Sequence, residues 1–101
     1  MTKNGMRPIH PGEILREEYL APLEMSANAL AIALRVPAPR VNDIVRERRG
    51  VTPDTALRRA RFFGGDAQSW LNLQVAYELR LAEQSAGERI LKEVRPRAAS
   101  S

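Results

Sequence analysis

An all-α domain of five helices is what this 101-residue sequence predicts, and three observations carry the prediction. The apolar residues up to about position 84 recur at helical spacing, with no alternation of the kind a half-buried strand shows. Start and stop residues bracket each of these patterns. The length allows one modest hydrophobic core and is too short for two. Charged residues make up 28% and apolar ones 44%, a balance typical of a folded soluble chain.

The first helix is "GEILREEYLAPL", with Ile14, Leu15, Tyr19 and Leu20 on one side, Pro11 near its first turn and Pro22 ending the run. Ser26 is a good N-cap for the second, "ANALAIAL", whose stripe is Leu30, Ala31 and Leu34. After the link "RV" comes a helix over 38–46. Its Val41, Ile44 and Val45 stand at i, i+3 and i+4, so one face is buried. Pro37 and Pro39 start this helix rather than break it, because first-turn N–H groups have no intrahelical partner. The fourth has Thr52 as N-cap, Pro53 at its first position, Asp54 near the positive end, and Gly64 and Gly65 as a stop. Asp66 caps the last, "AQSWLNLQVAYELRLAEQ". Gly87 is expected to break it, leaving Ile90, Leu91 and Val94 for a short helix or strand and "RPRAASS" frayed. The expected organisation is one domain over residues 1–85 and a partly flexible extension over 86–101.

Charge is distributed unevenly along this frame. Residues 1–34 carry three basic and four acidic side chains, and residues 62–101 carry five of each. Residues 35–61 carry eight arginines against Asp43, Glu47 and Asp54, so the excess sits in one third of the chain. Arginine's planar fork suits phosphates and guanine edges, and its confinement points to a polyanion.

With Val41 set toward the core, Pro39, Asn42, Asp43 and Arg46 project outward, with Arg40 and Glu47 at the flank. Asn42 can pair with adenine, Arg40 or Arg46 with guanine or phosphate, and Asp43 can accept from cytosine. The tight link and the small Ala31 let the second and third helices cross closely. The pair reads as a helix–turn–helix over 26–47 whose second helix can enter a major groove. An ordinary helical hairpin with a polar outer face is the alternative.

Other chemistry has little to work with. The chain has no cysteine, which excludes disulfides and thiolate metal sites. His10 and Glu13 form an H-x-x-E that lacks further ligands, so a helix-start role is expected and no metal or cofactor. Ser26 and Ser69 have no base placed to activate them, and no glycine-rich phosphate loop appears, so no catalytic residue is assigned. Tyr19 and Trp70 read as core members. Arg58, Arg59 and Arg61 in "RRARF" are expected to spread over a solvated face. "MTKNGMRPIHPGE" lacks the apolar segment of an export signal and no run approaches membrane-spanning length, so a cytoplasmic protein is expected.

Residues 10 to 79 carry a resemblance, most specifically in "HPGEILREE", "VTPDTALRRARFFG" and "WLNLQ" followed by a tyrosine. They resemble HigA-type antitoxins, the plasmid-maintenance antidote branch of the XRE/Cro helix–turn–helix superfamily. The resemblance implies a five-helix, lambda-repressor-like DNA-binding domain that dimerises and represses its own toxin–antitoxin promoter. It also implies a HigB-like partner, a RelE-like mRNA endonuclease that the antitoxin neutralises. Carried over by position, base contacts would come from Ala38, Pro39, Arg40, Asn42 and Asp43. Ser26, Arg46, Arg48 and Arg49 would hold phosphates. Arg35 stands where members of that family often carry glycine or asparagine, so a left-handed turn there would be mildly strained, and Glu47 stands where many carry glycine just past the recognition helix, so the chain's exit there is expected to differ. A stand-alone regulator, or a toxin-masking module with little DNA binding, remains the alternative.

The last helix has two apolar stripes. Trp70, Leu73, Tyr77 and Leu81 lie on one side and Leu71, Val75 and Leu79 nearly opposite. The first can close the core. The second is a candidate interface for a two-fold homodimer, which would set two recognition helices about 34 Å apart on an operator inverted repeat. Coverage of that stripe within the monomer is the competing reading.

Overall fold

The structure is a computed structural model that describes residues 7–97. Among the described residues the architecture is five helices. α1 covers residues 11–23, α2 is Ala27–Leu34, α3 Ala38–Val45, α4 Pro53–Phe63 and α5 Ala67–Glu93. The sequence's start signals act largely as expected. The Ser26 hydroxyl accepts from the Ala29 N–H, and Thr52 accepts from Thr55 N–H with Pro53 in the first turn. Pro37, in extended conformation, precedes α3. Asp66 is the residue before α5, but its side chain caps no backbone group and instead accepts from Ser69 Oγ at 2.7 Å.

Pro22 does not end α1. The helix runs on to Leu23 and turns left-handed at Glu24, with φ 53°. It carries Pro22 by widening: Leu15–Leu20 is π-helical, and the Ala21 N–H reaches back to Arg16 O. A proline ring clashes with the carbonyl four residues earlier and offers no N–H, so a wider turn just before it removes the conflict.

Leu15, Leu30, Leu34, Val41, Ile44 and Trp70 form the centre of one core, with Ala31 buried where α2 and α3 cross. Gly12 brings α1 against this unit. A Cβ there would lie 1.8 Å from the Ile44 carbonyl oxygen, so only glycine permits the approach to the end of α3. Buried His10 caps the same turn, its Nδ1 accepting from Gly12 N–H at 2.8 Å while its ring packs edge-on to Tyr77.

Three further expectations are corrected. Gly87 does not break α5, which continues to Glu93. Within a 27-residue helix anchored at Trp70, one glycine costs only about 1 kcal/mol of propensity. Arg59 is not on the solvated face; it is 6% exposed, under the aromatic side chains of α1 and α5. Leu81, placed by periodicity on the core side, is exposed because α5 has by then run past the core. From Val75 onward no described residue is fully buried, and the molecule measures 53 × 24 × 23 Å. Of "RPRAASS", residues 98–101 lie outside the described residues, while Val94 to Arg97 follow α5 without regular structure. No helix is long and apolar enough to cross a membrane among the described residues.

Candidate nucleic-acid interface

The outer face of α3 is built by fixing its inner one. Val41, Ile44 and Val45 are buried, which leaves Pro39 and Arg46 exposed and Arg40, Asn42 and Asp43 half-buried at the edges. Ala38 is half-buried and packs against the core, so it offers less of its methyl than its neighbours do. Both ends of α3 are tied down. The Arg16 guanidinium donates to the Val45 carbonyl and sits 3.5 Å from Glu47, satisfying an orphan carbonyl at the helix end. Arg58 of α4 donates to Leu34 O at 3.0 Å, holding the end of α2 and so the turn that leads into α3.

The turns on either side of α3 are left-handed. Arg35 has φ 63° and Glu47 has φ 63°, both without the glycine that such backbone favours. The expected strain at Arg35 is therefore present, and the exit at Glu47, expected to differ from a glycine's, is left-handed as a glycine's would be.

Much of this surface is internally paired. Asn42 Nδ2 donates to Asn28 Oδ1 at 2.8 Å and to Ala38 O at 2.9 Å, which leaves its own Oδ1 as the outward group. Arg40 bonds Asp54 at 3.0 Å, and Asp54 also accepts from Arg58 at 2.8 Å. The Arg58 hydrogen bond and the charges of Arg58 and Arg40 hold the Asp54 carboxyl below the usual carboxylate range. Asp43 lies 3.9 Å from Arg49. Arg46 and Arg48 are exposed, and among the described residues neither has an ion-pair partner. Ser26 is exposed at the start of α2, its hydroxyl used in the cap. Asn28 and Arg16 were missed by sequence reasoning. Asn28, a polar residue in the first turn of α2, was a readable signal; Arg16 showed none.

The second stripe of α5 is divided. Val75 and Leu79 are 62% and 58% exposed, while Leu71 is half-buried and packs partly on the core of its own subunit. No group of three His, Asp or Glu side chains gathers as a metal site among the described residues.

No protein-family model matches the chain. Virulence-associated protein I of Dichelobacter nodosus is 68% identical over 82 residues, covering 81% of this chain and 76% of that protein. Among solved structures, Pseudomonas aeruginosa antitoxin HigA with the higBA promoter is 53% identical with a TM-score of 0.87, over 90% of this chain and 99% of that one. Antitoxin GraA in complex with its operator is 52% identical with a TM-score of 0.87, over 98% and 100%.

Proposed function

The chain belongs to the HigA family of helix–turn–helix antitoxins, and on that basis we propose that it binds and represses its own operon and neutralises a HigB-like toxin. Several relatives are named as antitoxins or helix–turn–helix regulators, which are not enzymes. The observation that carries the DNA reading is the pair Arg46 and Arg48. They are exposed and unpaired where the end of α3 would meet a phosphate backbone. Ser26 and Arg49 flank them as further phosphate contacts.

Base reading falls to Ala38, Pro39, Arg40, Asn42 and Asp43. Asn42 serves adenine's bidentate edge only if it releases Asn28; with that bond intact, its free Oδ1 accepts from a base amino group. A second copy docks on Val75 and Leu79, with Leu71 at the margin, and the dimer reads an inverted repeat. With DNA as partner, the protein works in the cytoplasm.

Fluorescence anisotropy with duplex from upstream of its own gene, over a salt series, tests this. Arg46→Ala and Arg48→Ala each weaken specific and random duplex alike. Each lowers the salt slope by about 0.9 per subunit, or about 1.8 per dimer. Asn42→Ala chiefly narrows the gap between operator and random DNA. Equal affinity of the parent protein for both duplexes overturns the repressor reading. Failure to rescue cells expressing the neighbouring toxin overturns the antitoxin one.

A further inference from the structure

Arg59 is a buried cation with no ion-pair partner in contact. No carboxylate forms an ion pair with it among the described residues, and its Nε, fully enclosed, has no hydrogen-bond partner. The guanidinium carbon sits 4.2 Å from the centre of the Trp70 ring, 4.7 Å from Tyr19 and 5.6 Å from Phe63. The hydrogen bond from Nη1 to Gly64 O is long at 3.4 Å. Burial pushes its pKa down, opposed by the charge and hydrogen bond of the Tyr19 hydroxyl and by the charge of Asp66. Aromatic faces attract a cation but do not replace a hydrogen-bonded anion, and an unpaired buried charge is costly.

The charged end of Arg59 reaches an open pocket of about 340 Å³ at the α4–α5 junction. A Cβ on Gly65 would lie 3.7 Å from Nη1, so the guanidinium is at the pocket wall. Ser69 and Asp66 line the same pocket at the start of α5, where no side chain caps the first-turn N–H groups of a 27-residue helix. The positive end of α5 and a buried arginine therefore border one space. Its remaining walls are Tyr19, Phe63 and Trp70.

We propose that this pocket binds a monocarboxylate carried on an apolar body, with Arg59 and the first turn of α5 on the carboxylate and the three aromatic rings against the body. A guanidinium fork matches the two oxygens of a carboxylate. Asp66 at the rim penalises a dianion such as phosphate more than a single charge. The carboxylate has two sources, a free acid or the chain end of a partner protein, and the chemistry is shared.

Trp70 is the chain's one tryptophan and stacks on Arg59, so its emission reports occupancy. The full chain is titrated with sodium phenylacetate, and separately with a short peptide ending in phenylalanine, against sodium chloride at equal ionic strength. A saturable change in emission and a raised Tm are expected with at least one of them; which one acts assigns the source. Phenylacetamide and inorganic phosphate should bind at least tenfold more weakly. Arg59→Met should abolish the response, and Ser69→Leu, which narrows the mouth and leaves Arg59 in place, should weaken it severalfold. No saturable response to either probe overturns the proposal. So does an undiminished response in both variants, or phosphate binding as tightly as phenylacetate.

Discussion

Gly12→Ala sets two effects of opposite sign against each other. In a first helical turn with room around it, alanine in place of glycine stabilises by up to about 1 kcal/mol. Here the new Cβ would stand 1.8 Å from Ile44 O and 2.8 Å from its carbonyl carbon. Both are backbone atoms at the end of α3 and cannot rotate aside. Reaching ordinary contact requires α1 to retreat by more than 1 Å. That movement pulls on the Arg16 bond to Val45 O, which joins the same helix to this corner, and the new Cβ also crowds the capping His10 Nδ1 at 3.0 Å. Overpacking of a tight site costs about 1–3 kcal/mol and a lost cap about 1 kcal/mol. A net loss of about 2–3 kcal/mol corresponds to a fall in Tm of about 10–20 °C for a domain of this size. Melting followed by circular dichroism measures it, with operator affinity at 25 °C as a second reading because the displaced element supports α3. A Tm equal to or above that of the parent would refute the close approach and the reason given for the glycine.

Glu47→Gly removes a left-handed residue and should stabilise by about 0.5–1 kcal/mol, read as a raised Tm, the exposed Arg16 pair lost with it being worth little. Gly87→Ala has nothing within 4 Å of its new methyl and lies inside α5, so it should gain up to about 1 kcal/mol and some helical ellipticity. A loss would mean the helix does not continue there. Burial pushes the pKa of His10 down, and its Nδ1 accepts a bond only when unprotonated. Its folded pKa lies below the unfolded value of about 6.5, so stability is full above that pH and is lost as pH falls through the lowered value. Denaturant melts between pH 8 and 5 should show this decline in the parent, and His10→Asn should flatten it.

Most of the frame was legible because its determinants are local. Ser26, Thr52 and the 37–39 prolines act within one turn of themselves, and the i, i+3, i+4 set of α3 needs only the helical period. What was misread depends on partners far along the chain. The end of α1 turns on how a π-turn accommodates Pro22, and the burial of Arg59 depends on Tyr19 forty residues earlier and Trp70 eleven later. Gly87 misled for a different reason. A stop residue weighs against the helix around it, and α5 is long enough to outlast one.

The charge excess shows the same division on the functional side. Eight arginines in residues 35–61 announce an anionic partner, yet the fold commits several of them elsewhere. Arg40 and Arg58 share Asp54, Arg49 faces Asp43, and Arg59 is buried among rings. The arginines that remain beside the outer face of α3 are Arg46 and Arg48, a smaller and more localised charge than the count implies. Attraction to any duplex is then modest per subunit, and in the proposed dimer the arginines of two copies add on the same DNA. That places the exposed Val75 and Leu79 in the same argument as the recognition helix. In the proposed assembly a second copy on that stripe doubles the free cations that meet one duplex, so Val75→Glu is expected to weaken operator binding and flatten its salt dependence.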